Sequence, residues 1–310
     1  MNSVDSKRAN CFSTTEAIEV TIAPNAGACF GVVRAIKLGL QASKKSETGK
    51  EKVYSLGPLI HNPKVVDELE GRGVETVEDP NVIREGTAVL RSHGVKKEIE
   101  KELKSRGVKL VDATCPLVKK PQRIAQSLGE KGAFLVLVGD ENHPEVKGVL
   151  SYFGRPDYLV TYCAQDVQKI PTVGTKIGVI AQTTIEAKVL DAVVAECRSR
   201  FSDVTVFNTI CDATSIRQTE AKALAQSADV VIVVGGRNSS NTKKLEKICK
   251  DHQSHTYLIE ELHEIDPKWF LGKRKIGVTG GASTPMEYVD QVGNYIAGLF
   301  TTSHLLAQET

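Results

Sequence analysis

Cys29, Cys115 and Cys211 stand 86 and 96 residues apart. Each opens a stretch with apolar residues at helical spacing: CFGVVRAIKLGLQASKK, CPLVKKPQRIAQSLGEKG and CDATSIRQTEAKALAQSAD. One thiol repeated in one local setting implies a unit used three times, each copy bringing a thiolate to a shared centre. Three convergent thiolates serve a metal ion or an iron–sulfur cluster. At a helix start the positive end of the macrodipole favours the ionised, ligating form. Taken singly, each is equally a buried structural cysteine; the matched positions favour the ligand. Structural zinc sites prefer four ligands and local C-x-x-C pairs, and this chain has no C-x-x-C. Three distant thiolates suit a cubane with one iron open, able to bind a substrate oxygen and pass single electrons. That combination implies reductive chemistry at a hydroxyl or carbonyl. Cys163, Cys197 and Cys249 lack such matches and read as packing residues, and Cys11 as incidental.

Polar turns recur in step with the cysteines. His61, His143 and Ser239 lie 32, 28 and 28 residues beyond them, each four residues after a strand-ending glycine. A second set, His93, Thr183 and Ser283, lies at 64, 68 and 72. Imidazoles, hydroxyls, the amides of Asn62 and Asn241, and free N–H groups at helix starts suit an anionic phosphate. GGRNSSNT at 235–242, with Ser239, Ser240 and Asn241, resembles a phosphate cradle without being a Walker loop. Ordinary N-capping is the alternative for those three residues alone. Glu145, in NHPEV, aligns with Asn241. It is either a proton carrier facing the pocket or an acid favoured by a helix dipole.

Positioning these residues takes strands that alternate with helices. The apolar runs KVYSL, AFLVLV and DVVIVV each follow a cysteine helix, and KIGV occurs twice, at 176–179 and 275–278. The expected fold class is α/β: three pseudo-threefold-related units with small, mostly parallel sheets around a central iron–sulfur cluster pocket. The polar turns fall beyond the carboxyl ends of the strands, where such sheets bind ligands. Expected boundaries are a flexible lead-in at 1–16, units at 17–113, 114–208 and 209–300, the last with a C-terminal helix, and a tail at 301–310.

Composition narrows the setting. The 310 residues are 41% hydrophobic and 25% charged, as in an ordinary soluble protein. A net charge of +2 gives no argument for nucleic acid or a membrane surface, and neither is expected as a partner. Seven scattered cysteines form no disulfide framework and imply a reducing cytoplasm. The apolar runs are too short to span a bilayer, and residues 1–16 carry no apolar signal core.

The motifs AGACFGVVRAI, GPLIHNPKVV, RSHGV, VDATCPLVKK, NHPEVKG, AQTT, TICDATSIRQ, GRNSSNT and GVTGGAST run in order over about residues 17 to 300. In that order the chain resembles the LytB/IspH family of 4-hydroxy-3-methylbut-2-enyl diphosphate reductases of the non-mevalonate isoprenoid pathway. The resemblance implies one [4Fe–4S] cluster per chain on Cys29, Cys115 and Cys211, with the substrate's allylic hydroxyl on the unligated iron. It implies that His61, His93, His143, Ser239, Ser240, Asn241 and Ser283 hold the diphosphate. Glu145 would deliver protons with Thr183 assisting. Isopentenyl and dimethylallyl diphosphate would be the products, and a ferredoxin or flavodoxin type of protein the electron donor. SLGPLIHN departs from the H-E-x-x-H-N of some members but keeps His61 and Asn62. Two alternatives are another three-cysteine cluster enzyme of quinolinate synthase type, which would need carboxylate-binding arginines at the turns, and a non-catalytic iron–sulfur sensor or zinc scaffold.

Overall fold

Residues 18–47, 49, 51–171 and 176–307 are described by the structure, a computed structural model. The expected lead-in at 1–16, with Cys11, lies outside them. The described residues form three four-stranded sheets, all parallel.

The best-buried strands include the apolar runs KVYSL, AFLVLV and DVVIVV and the two KIGV segments. They are β2 (Val53–Leu56), β4 (Thr87–Leu90), β6 (Phe134–Val138), β8 (Ile177–Ala181), β10 (Val230–Val234) and β12 (Lys275–Gly280). Covered on both faces by helices, they need no alternation with polar residues. Each pair forms the centre of one sheet. Shorter strands complete the edges: β1 (Glu19–Ile22), β3 (Val74–Val77), β5 (Lys109–Asp112), β7 (Tyr158–Thr161), β9 (Val204–Val206) and β11 (Thr256–Ile259). The orders are β3-β2-β4-β5, β7-β6-β8-β9 and β11-β10-β12-β1.

The third order corrects the expected boundary at 17. β1 pairs with β12, Glu19 against Lys275, and so belongs to the last sheet, not the first. Each sheet's outer position beyond the second central strand is filled by the strand that leads to a cysteine. For the third sheet only the start of the chain supplies one, so the chain closes into a ring. The C-terminal helix, α9 (Met286–Ala307), packs on β1 and runs past the boundary expected at 300.

The cysteine helices are α1 (Phe30–Glu47), α4 (Pro116–Glu130) and α7 (Asp212–Ser227). α2 (Pro63–Gly71), α5 (Pro144–Phe153) and α8 (Ser240–His252) follow the first turn of each unit. α3 (Lys97–Ser105) and α6 (Ala187–Arg200) follow the second turn in units one and two, as α9 does in unit three. In the second sheet, Leu135 and Leu137 face α4 and α5, while Val136 and Val138 face α6. The repeated KIGV has a packing reason. A Cβ on Gly178 would lie 2.5 Å from Leu128, and one on Gly277 2.6 Å from Leu224. Each leucine stands thirteen residues after its cysteine. The glycine admits it and seats the cysteine helix closely on its sheet.

Candidate active site

In each sheet the chain leaves the first central strand for the outer edge, then returns beside it. Leu56 pairs with Leu90, Val138 with Ala181, and Val234 with Gly280. The polar turns emerge from these paired ends, the switch point where open parallel sheets take ligands. They enclose a cavity of about 100 Å³. Its walls include Cys29, Cys115 and Cys211; His61, His93 and His143; Glu145 and Thr183; and Ser239, Ser240, Asn241 and Ser283. Each of these was a candidate from the sequence; Asn62, also named there, is not among the walls and caps α2 instead.

The cysteines are held by one repeated device. The Cys115 N–H donates to the Ser92 carbonyl at 3.0 Å, Cys211 to Thr183 at 3.0 Å and Cys29 to Ala282 at 3.1 Å. Each acceptor belongs to the second polar turn of one sheet, while the helix that follows the cysteine packs on the next. The three thiols therefore sit at the three joints between units. A methyl group at Gly31 would lie 2.5 Å from Cys115 Sγ and 3.9 Å from Cys29 Sγ. Gly31 thus leaves open the ground between two of the sulfurs. Burial pushes the Cys115 thiol up, and Cys29 and Cys211 add to it. Among the described residues no three His, Cys, Asp or Glu side chains are grouped to hold a lone metal ion; the thiols stand around a cavity instead. Cys197 and Cys249 are buried packing residues, as expected, but Cys163 is exposed with its Sγ on Gln165.

The histidines form a second wall. The rings of His61 and His93 are 4.2 Å apart, and His143 lies 6.0 and 5.8 Å from them. Burial holds all three below the ordinary imidazole range, His143 at about 4 and His93 well down. His143 Nδ1 accepts the Glu145 N–H at 3.1 Å. A neutral ring so bound carries its proton on Nε2 and donates there. His61 Nε2 is buried without a partner. The cap positions show that the matched turns are out of step by one residue. His143 and Ser239 are N-caps of α5 and α8, whereas α2 is capped by Asn62, leaving His61 one residue outside.

Glu145 is buried in the first turn of α5. Its Oε1 accepts the Thr183 N–H at 2.7 Å and its Oε2 the Thr183 hydroxyl at 2.8 Å. Burial raises its carboxyl to about 7, against the opposing pull of both bonds. The helix dipole alone would keep it ionised; desolvation outweighs the dipole here.

The third unit supplies the remaining wall. Ser239 caps α8 through the Thr242 N–H at 3.3 Å, and Ser283 reaches Ser239 at 3.5 Å. Capping and cavity lining are thus both true of Ser239. Asn241 is 4% exposed, and neither its Oδ1 nor its Nδ2 has a partner. A buried amide left so is costly unless a ligand completes it.

Sequence reasoning missed several residues. Thr184 lines the cavity and meets Ser240 at 2.9 Å, and Gln182 donates to both, joining units two and three. Arg217, inside α7, reaches the loop before Cys29. Thr184 lay within a motif already singled out. Arg217 lay within one too, TICDATSIRQ, but an arginine on a helix reads as a solvated face.

The model of the LytB protein family matches residues 20–297. The 4-hydroxy-3-methylbut-2-enyl diphosphate reductase of Geobacter sulfurreducens is 44% identical over 89% of this chain and 95% of its own. That of Pelobacter propionicus is 46% identical over 89% and 96%. Among solved structures, an (E)-4-hydroxy-3-methyl-but-2-enyl diphosphate reductase, described as the terminal enzyme of the non-mevalonate pathway, is 40% identical. It covers 90% of this chain and 99% of its own with a TM-score of 0.66. The Plasmodium falciparum E-1-hydroxy-2-methyl-but-2-enyl-4-diphosphate reductase is 27% identical, covering 90% and 88% with a TM-score of 0.84. Shared along nearly all of the ring that builds this cavity, these likenesses mean that the chain belongs to the LytB protein family.

Proposed function

We propose that the chain reduces (E)-4-hydroxy-3-methylbut-2-enyl diphosphate to isopentenyl and dimethylallyl diphosphate, the last step of the non-mevalonate pathway. One observation carries the reading: a single cavity joins three thiols, a buried protonatable carboxyl and a buried amide without partners. The reaction consumes two electrons and two protons; the allylic C–O bond breaks, a C–H bond forms and the hydroxyl leaves as water.

Cys29, Cys115 and Cys211 would hold a [4Fe–4S] cluster. Thiolates are its usual ligands, and three of them leave one iron open. When bound, the cluster supplies single electrons and a Lewis-acid site. Asn241, Ser239, Ser240 and Ser283 offer amide and hydroxyl groups to the diphosphate. His61, His93 and His143, kept neutral by burial, bind it as hydrogen-bond donors without bringing a buried positive charge. The N-termini of α2, α5 and α8 add their dipoles. Glu145, near neutral pH half protonated, holds the proton, and the Thr183 hydroxyl on its Oε2 is the first relay toward the substrate. Electrons come from a ferredoxin or flavodoxin type of protein. Free thiols at every described cysteine support a cytoplasmic setting; no helix among the described residues is long and apolar enough to cross a membrane.

The test is substrate-dependent oxidation of reduced methyl viologen by anaerobically reconstituted protein. Turnover with the hydroxymethylbutenyl diphosphate is expected. No turnover with an intact cluster would reject the reading.

A further inference from the structure

Arg217 is 6% exposed, and nothing in the proposed chemistry uses it. It stands on α7, one and a half turns beyond Cys211. Its Nε and Nη2 both donate to the Gly27 carbonyl, at 3.3 and 2.7 Å, and its Nη1 to the Ala213 carbonyl at 2.8 Å. One turn on, Glu220 takes both donors of Asn25, the backbone N–H at 2.9 Å and the side-chain amide at 2.6 Å. Two side chains of the third unit's cysteine helix therefore clamp the Asn25–Gly27 loop, which leads directly to Cys29.

The clamp explains the hydrogen bonds of Arg217 but not its charge. Its acceptors are neutral carbonyls, and Glu220, one turn on, makes its hydrogen bonds to Asn25 rather than to the guanidinium. A buried guanidinium with no anion directly bonded to it is costly. The groups whose negative charge would act on it are Cys29 and Cys211 first and then Glu220. We propose that Arg217 is a positioning residue with two tasks: it fixes the Cys29 loop through Gly27, and its buried charge balances the anionic group held by the thiolates. This rests on the cluster reading above. The potential of such a cluster depends on nearby charge, so Arg217 would favour the reduced, more negative state.

The experiment is a redox titration of reconstituted wild type, Arg217→Gln, Arg217→Lys and Glu220→Gln, with iron and sulfide content and melting temperature measured on the same samples. Arg217→Gln should lower the midpoint potential by about 59 mV, a tenfold shift for one electron. Arg217→Lys keeps the charge and should stay within about threefold of wild type. Glu220→Gln loosens the same loop but removes a negative charge rather than a positive one, so it should melt lower while its potential does not fall. A wild-type potential in Arg217→Gln, or an equal shift in Glu220→Gln, overturns the counter-charge role. If Arg217→Gln retains no cluster, iron and sulfide retained by Arg217→Lys support the role and equal loss overturns it. A wild-type chain that takes up no iron and sulfide overturns the cluster reading itself.

Discussion

Thr183 grips both carboxylate oxygens of Glu145, one through its backbone N–H at 2.7 Å and the other through its hydroxyl at 2.8 Å. The two residues come from neighbouring turns of one sheet, and the Thr183 carbonyl also receives the Cys211 N–H. The Glu145 carboxyl and the Cys211 backbone are thereby held by a single residue. Glu145→Gln preserves shape and burial but removes the transferable proton. It should retain iron, sulfide and substrate affinity while kcat falls about 10²–10⁴-fold. Unchanged turnover would assign Glu145 to the helix start alone.

Thr183→Val removes one bond that draws the Glu145 carboxyl down and leaves the backbone bond in place. The carboxyl, at about 7 in the wild type, should then rise. A donor must be protonated, so wild-type kcat should fall as pH increases through about 7. In Thr183→Val that alkaline limb should move to higher pH, with the plateau lowered roughly tenfold for one lost hydrogen bond. A pH–rate profile of both proteins checks it; an unmoved limb counts against Glu145 as the titrating group.

Gly31→Ala puts a methyl group 2.5 Å from Cys115 Sγ. In a helix alanine is otherwise favoured over glycine by about 1 kcal/mol. The secondary structure should therefore survive by circular dichroism while iron per chain drops by more than half. Full iron content in this variant would show that the ground between Cys29 and Cys115 is not needed.

Asn241→Leu exchanges an amide with two orphaned atoms for an apolar group of similar size. Without substrate the protein should be as stable as wild type or gain about 1 kcal/mol, because an unmet desolvation cost disappears. With substrate, KM should rise at least about tenfold. Paired melting curves and kinetics test both halves; a destabilised variant with normal KM would make Asn241 structural.

The substrate-free protein should be acid-labile. His143 is held at about 4 against an ordinary 6.5, and His61 and His93 are also lowered. The unfolded chain therefore binds protons that the folded one refuses. Their contribution is fully present above about pH 6.5 and is lost as pH falls toward 4. Glu145 acts oppositely: its raised carboxyl stabilises the fold below about 4.5, an advantage lost as pH rises through 7. With three imidazoles against one carboxyl, the melting temperature should drop between pH 7 and pH 5. His143→Gln should flatten that slope.

Legibility in the sequence followed burial. VVIVV of β10 and FLVLV of β6 are buried almost throughout, so their apolar runs could be read directly. EVTI of β1, KLVD of β5 and VTV of β9 are short and partly exposed, with no run to recognise. These edge strands therefore have no counterpart among the apolar runs, and the four-stranded sheets were only partly legible. The cavity residues were legible because they recur with the cysteines. Arg217, which occurs in one unit only, was not, and the one-residue offset between His61 and the cap at Asn62 cannot be counted from glycine spacing.

The closure of the ring by β1 has a consequence for how the protein is made. The first described strand to leave the ribosome is paired by one of the last, and the Cys29 amide waits for Ala282. Domains generally fold as they emerge, so the first two sheets can form during synthesis while the third cannot. A nascent chain thus exposes β1 without its neighbour for nearly the whole of translation. Assembly of any group that needs all three thiols is confined to the finished polypeptide, because a product truncated before Ala282 leaves the Cys29 loop without its anchor.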